Sequence, residues 1–189
     1  PARLFSGLLK PKKQILGNEF AGEVLKVGKD VSKFEKGDRV FGTATLLKAG
    51  TYAEYVAVPE TWKQGVVAKI PNGVSYEDAA ALPIGAMTAL DLLNRANISK
   101  GQKVLVYGAS GSVGSYAVQI AKHMGAQVTG VCSTKHIDAV KSIGAEEVID
   151  YTKEDFTQRG KQFDVVFEAV MKISASRAKK MLKKGGKYL

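Results

Sequence analysis

"KVLVYGASGSVGSYAVQIAKHMGAQVTGVCSTKH", residues 103–136, decides the fold. A short β-branched run over 103–107 ends at Gly108, and the turn Ala109-Ser110-Gly111-Ser112-Val113-Gly114 opens a helical pattern. Set against G-x-G-x-x-G, alanine holds the first place and glycines the other two. Gly111 lets the backbone approach a pyrophosphate, and Gly114 permits close helix–sheet packing. The N–H groups at the helix start, with the positive end of its dipole, suit a diphosphate. Such a turn is a weak signal alone and a strong one inside a strand–turn–helix–strand unit.

That unit is present. "AQVTGVCS" (126–133) reads as a strand, "HIDAVKSIG" (136–144) as a helix and "EEVIDY" (146–151) as a strand. "FDVVFEAV" (163–170) is another strand, "SASRAKKMLKKGG" (174–186) a helix, and "KYL" (187–189) begins one more strand. Strict alternation implies right-handed crossovers and a parallel sheet covered on both faces. This is a dinucleotide-binding architecture.

The second strand then addresses the cofactor. A site for NAD usually carries an acid there, some twenty residues past the turn, to hold two ribose hydroxyls. Here the strand ends in Ser133, Thr134 and Lys135. Two hydroxyls and an ammonium suit a 2′-phosphate through charge-assisted bonds, so NADPH is expected over NADH, with Lys135 as a solvated lysine the plainer alternative. Tyr151 is expected beside the adenine or its ribose. Ala169 and Val170, at the end of the fourth strand, are expected beneath the nicotinamide ribose, at the carboxyl edge of the sheet.

Upstream the rhythm differs. Residues 15–75 read as short strands and turns at intervals of about ten residues, a small barrel or sandwich. The strands are drawn from 19–28, 37–42, 50–60 and 65–73. "SYEDAAALPIGAMTALDLLNRA" (75–96) is helical, capped by Ser75 and broken at Leu82–Gly85 by Pro83 and Gly85.

Composition narrows the function classes. The chain has 189 residues, 45% of them apolar, with a net charge of +10. The lysines are scattered, and the richest stretch (177–187) spaces them like a solvated helix face, so no nucleic-acid partner is expected. No run approaches the roughly 18 apolar residues of a membrane span, so no membrane role is expected either. The stretch "PARLFSGLLKPKK" (1–13) lacks the pattern of a signal peptide. Cys132 is the only cysteine, which excludes an internal disulfide and a Cys-based zinc site and fits the cytoplasm. His123 and His136 are the only histidines, which argues against a histidine metal centre.

Taken together, "ILGNEFAGEVLKVGKDV", "KGDRVFG", "GTYAEYVAVPE", "YEDAAALPIGAMTAL", the glycine-turn stretch, "IGAEEVIDY" and "KKGGKYL" resemble the medium-chain dehydrogenase/reductase superfamily. Within it the chain is most similar to the zinc-free quinone oxidoreductase-like (zeta-crystallin-like) branch. The resemblance implies an α/β fold in two parts: a GroES-like barrel domain (1–80) followed by a Rossmann domain (81–189), with the active site in the cleft between them. It implies that both parts are incomplete, the chain starting within the barrel and stopping before the last Rossmann strands. It also implies a homodimer for the full-length protein.

Zinc-dependent members of that superfamily carry a histidine in Gly-His-Glu, where this chain reads Gly17-Asn18-Glu19. An amide oxygen is a poor zinc ligand. The implied reaction is therefore metal-free hydride transfer from NADPH to a quinone or an α,β-unsaturated carbonyl (an enone). A NADPH-binding structural or regulatory protein and a zinc alcohol dehydrogenase are the alternatives. By family register Asn18 lies at the cleft wall, as a donor to a substrate carbonyl or as a backbone cap. Thr88 lies near the nicotinamide, or bonds back to a helix carbonyl. Family members often follow Val170 with glycine, where this chain has Met171. Tyr52 and Tyr55 read as packing residues before proton donors, and Cys132 as a buried strand residue.

Overall fold

The computed structural model describes residues 14–45, 47, 50–63 and 65–189; the leader reading over 1–13 lies outside them. The chain forms two compact units, one reaching Ile84 and one spanning Gly85–Leu189.

The first unit holds an antiparallel sheet of β1 (Glu19–Glu23), β2 (Arg39–Thr43) and β3 (Val67–Lys69), in that order. Helix α1 (Tyr76–Ala81) begins at Ser75, whose hydroxyl accepts from the Asp78 N–H at 3.0 Å. Arg39 joins β2 to this helix start: it donates to the Val74 carbonyl at 2.7 Å and lies 4.5 Å from the Tyr76 ring centroid. The break expected at Leu82–Gly85 is present, because Pro83 has no N–H to continue α1 and instead starts α2 (Pro83–Ala96). Ile84 N–H, one of the donors orphaned by the new start, goes to Glu19 Oε1 at 2.7 Å.

One strand assignment is corrected. Residues 50–60 form bends and irregular chain rather than a strand. The Tyr52 N–H is taken by the Leu16 carbonyl at 2.9 Å, outside the sheet ladder. Tyr52 and Tyr55 are 79% and 73% exposed, so they are not packing residues of the first unit.

The second unit is a five-stranded parallel sheet in the order β6-β5-β4-β7-β8. Its strands are β4 (Lys103–Tyr107), β5 (Gln127–Cys132), β6 (Glu147–Asp150), β7 (Phe163–Glu168) and β8 (Leu182–Tyr188). Helices α3 (Ser112–His123), α4 (Ile137–Ser142) and α5 (Ala175–Lys179) lie in the crossovers. Alternation along β4 splits the core between the two faces. Val104 and Val106 pack with Ala117, Val118 and Ala121 of α3, and Leu105 and Tyr107 with Phe156 and Met181.

The last expected helix is shorter than its sequence suggests, and a strand replaces its second half. α5 ends at Lys179, and Leu182 already pairs with Phe163. The Met181 carbonyl accepts from the N–H groups of Gln162 and Phe163 at 2.9 and 3.0 Å, and the Met181 side chain is fully buried. The register then shifts before Lys187 pairs with Val165, and Gly185 takes φ +80 inside that irregularity. Lys183, Lys184 and Lys187 are therefore strand residues, not the outer face of a helix. Lys187 Nζ donates to the carbonyl of Ala96, the last residue of α2, a favourable place for a cation.

Asp164 ties three strand starts together. Its Oδ2 accepts from the Lys103 N–H at 2.8 Å, and Lys183 Nζ lies 2.9 and 2.8 Å from its two oxygens. Burial alone pushes its carboxyl up, but the bonds from Lys183 and Lys103 outweigh this and hold it below the ordinary value. A lowered native pKa contributes stability above the unfolded value near 3.9, and that stability is lost as pH falls through the native value. Asp164→Asn should cost about 1 kcal/mol in denaturant unfolding at pH 7. The gap to the parent chain should close below roughly pH 4.

Candidate functional site at the carboxyl edge of the parallel sheet

At the end of β4 the chain turns sharply. Gly108 takes φ +82, and its N–H and that of Ala109 both donate to the Val131 carbonyl at 3.0 and 3.1 Å. The Gly111 N–H returns to the Gly108 carbonyl at 2.9 Å, closing the turn. A Cβ on Gly114 would lie 2.1 Å from the Gly108 oxygen, so only glycine lets the first turn of α3 pack on the strand end. Gly111 is the N-cap of α3 and brings no side-chain bond to it. The first-turn N–H groups, on Ser112, Val113 and Gly114, have no intrahelical acceptor. Ser110, Gly111 and Ser112 are exposed. An uncapped helix start at the surface can take an anion.

Ala169 and Val170 adjoin this turn. The Ala169 N–H donates to the Tyr107 carbonyl at 3.0 Å, and Val170 Cγ1 lies 2.6 Å from where a Gly108 Cβ would be. The next residue, Met171, takes φ 55, the conformation glycine favours, and its side chain is 93% exposed. Glu168 holds that loop. Its Oε1 accepts from the N–H groups of Lys172 and Ile173, and its Oε2 accepts from the Tyr188 hydroxyl at 2.6 Å. Burial and the Glu168 carboxylate push the Tyr188 hydroxyl up to about 12. No local pattern signals this clamp, because its partners are 20 residues apart.

The turn after β5 also stands at this edge. Ser133 precedes a 3-10 turn over Thr134–His136, and the exposed Lys135 makes no ion pair among the described residues. Thr134 is more constrained than expected: its hydroxyl donates to Asp150 Oδ2. Asp150 is 7% exposed, and hydrogen bonds from Thr134 and Thr152 hold its carboxyl low. A carboxylate therefore does stand behind this turn, supplied by the neighbouring strand rather than by β5. The signal was in "VIDY", since β5 and β6 pair with Cys132 opposite Asp150.

Tyr151, 45% exposed, meets Tyr107 edge-on with ring centroids 6.1 Å apart. Beside them opens a depression of about 430 Å³, walled by Tyr107, Tyr151, Phe156 and Ile173, with Lys153 and Arg177 among its lining residues. Cys132 is 1% exposed and its thiol is pushed up by burial and by Asp150, so it is a core residue and no nucleophile.

The two expected catalytic residues lie in different units. In the first, Asn18 is exposed; its carbonyl accepts from the Ala44 N–H at 2.6 Å and its side chain caps nothing among the described residues. In the second, Thr88 is exposed on α2, and its hydroxyl makes no bond back to a carbonyl among the described residues. For zinc the donors do not fit. Asn18 offers an amide, and no cluster of three His, Cys, Asp or Glu side chains occurs among the described residues.

Comparison with known proteins agrees with this architecture. Residues 3–72 match the alcohol dehydrogenase GroES-like domain family, and 112–189 the zinc-binding dehydrogenase family. The chain is 37% identical to a 2-methylene-furan-3-one reductase of Solanum lycopersicum, over 96% of this chain and 47% of that protein. It is 35% identical to the chloroplastic NADPH-dependent alkenal/one oxidoreductase of Arabidopsis thaliana, over 98% of this chain and 48% of that one. The structure of the quinone oxidoreductase from Coxiella burnetii superposes with a TM-score of 0.83 at 34% identity, over 96% of this chain and 56% of that one. The chain thus spans about half the length of the curated relatives it matches.

Gly114→Ala should lower stability by about 2 kcal/mol or more, because the helix start must move off the strand end. Denaturant midpoints measure the loss, and an unchanged midpoint would show that the contact with Gly108 yields freely.

Proposed function

The chain belongs to the medium-chain dehydrogenase/reductase superfamily, on its quinone oxidoreductase-like branch, and from that premise we propose that it binds NADPH and serves metal-free reduction of a quinone or an α,β-unsaturated carbonyl. The observation that carries this reading is the uncapped, exposed start of α3 behind a turn that only glycine can close. The N–H groups of Ser110, Ser112, Val113 and Gly114 are the candidate donors to the diphosphate, with Gly108, Ala109 and Gly111 giving it room. Ser133 and Lys135 are assigned to the 2′-phosphate, with Thr134 in the turn between them. Tyr151 is assigned to the adenosine end, where the depression beside Tyr107 opens, and Ala169 and Val170 to the nicotinamide ribose. Bound NADPH supplies the hydride, and conjugation in the acceptor takes up the charge.

The protein's own part is to bind, orient and donate. The exposed Asn18 amide, unbonded among the described residues, is suited to donate to an acceptor carbonyl, and the Thr88 hydroxyl on α2 is a second open donor. The metal-free form of the reaction rests on the amide at Asn18 and on the lack of a three-donor His, Cys, Asp or Glu cluster among the described residues. The NADPH- and acceptor-specific parts draw on what the tomato, Arabidopsis and Coxiella proteins are named for. Residues 1–80 and 81–189 are taken as the barrel and nucleotide-binding domains. We extend the reading to a homodimer in the cytoplasm: the family resemblance implies the homodimer, and Cys132 as the single thiol of these 189 residues fits the compartment. No described helix is long and apolar enough to cross a membrane.

The intact protein should oxidise NADPH in the presence of a quinone or an alkenal, followed at the nicotinamide absorbance. No oxidation with any acceptor of either class overturns the enzymatic reading. Lys135→Glu should raise KM for NADPH by at least about tenfold, the worth of one charge-assisted bond, and leave KM for NADH nearly unchanged. Equal effects on both cofactors would remove Lys135 from the 2′-phosphate site.

A further inference from the structure

Asp150 ends β6 and carries three donors on one buried carboxylate. The Thr134 hydroxyl donates to Oδ2, and the Thr152 N–H and hydroxyl donate to Oδ1 at 2.9 and 2.6 Å. Lys153 Nζ lies 3.8 Å from Oδ2. A hydroxyl has a single hydrogen, so with Asp150 ionised both threonine hydrogens point at the carboxylate. The two threonine oxygens are 3.2 Å apart and face one another through their lone pairs. Toward solvent the exposed Thr134 offers lone pairs alone, which a phosphate oxygen repels. Asp150 already holds three donors and is only 7% exposed, so it does not itself reach a ribose.

We propose that Asp150 is a specificity-determining positioning residue that acts through Thr134. By keeping the Thr134 hydrogen turned inward, it withholds one donor from the 2′-phosphate and limits the preference for the phosphorylated ribose to what Ser133 and Lys135 supply. The proposal rests on the 2′-phosphate reading given above. In Asp150→Asn the amide Nδ2, placed where Oδ2 stands, donates to the Thr134 oxygen and turns its hydrogen outward. The amide Oδ1 continues to accept from Thr152.

The test is titration calorimetry on the intact protein with 2′,5′-ADP and 5′-AMP, neither of which carries a nicotinamide. Asp150→Asn should bind 2′,5′-ADP about tenfold more tightly and 5′-AMP within about twofold of the parent, as one new bond to a charged acceptor would give. Adding Thr134→Val to Asp150→Asn should abolish the gain. A merely structural role for Asp150 moves both nucleotides alike. That result, an unchanged ratio, or a gain that survives Thr134→Val overturns the proposal. Parent protein that binds the two nucleotides equally, or binds neither, overturns the 2′-phosphate reading itself. Should Asp150→Asn fail to fold, Thr134→Val in the parent decides. A ratio within about threefold of the parent supports the inward hydrogen, and a larger fall shows that Thr134 donates to the phosphate and overturns it.

Discussion

The absence of a side chain at Gly114, where a Cβ would lie 2.1 Å from the Gly108 carbonyl oxygen, is the constraint on which the second unit depends. Strand β4 must stop, reverse and become α3 within a few residues, while its core residues Val104 and Val106 stay under Ala117, Val118 and Ala121. Only a helix start resting directly on the strand end achieves both. The same closeness leaves the first-turn N–H groups of α3 facing outward without a cap. The packing solution and the proposed anion site are therefore one geometry.

Much of this was legible in the sequence because it depends on neighbours along the chain. The glycine turn, the broken helix at Pro83 and the Ser75 cap are local, and alternating strand and helix patterns fix a parallel sheet through chirality. The strand order, with β4 central and β5 and β7 on either side, is what the structure adds. What misled was composition without partners. "MLKKGG" has the charge spacing of a helix face, yet Met181 and Leu182 are drawn into the core and the lysines follow as an irregular strand. "GTYAEYVAVPE" has strand-forming residues, but no strand pairs with it among the described residues and its tyrosines are exposed.

The site shows the same division. Gly108 to Gly114 and Ser133 to Lys135 could be picked out because each lies directly after a strand. The groups that discipline them could not. Asp150 reaches Thr134 across 16 residues, and Glu168 meets Tyr188 across 20. In both cases an acid at a strand end takes a donor from the neighbouring strand's end, Thr134 just past β5 and Tyr188 closing β8, and parallel pairing brings them together. For this reason the apparent lack of an acid after β5 was a true statement about the sequence and an incomplete one about the site.

Cys132 has a use that follows from its solitude. Its sulfur is buried, at the end of β5, where that strand pairs with β6 and its carbonyl accepts from the Tyr151 N–H at 3.1 Å. A thiol reagent can reach it only when the strand ends part, so the labelling rate reports the free energy of that local opening. With no second cysteine among these 189 residues to confuse the signal, the chain carries a built-in clock for the edge of the sheet on which its nucleotide is proposed to rest.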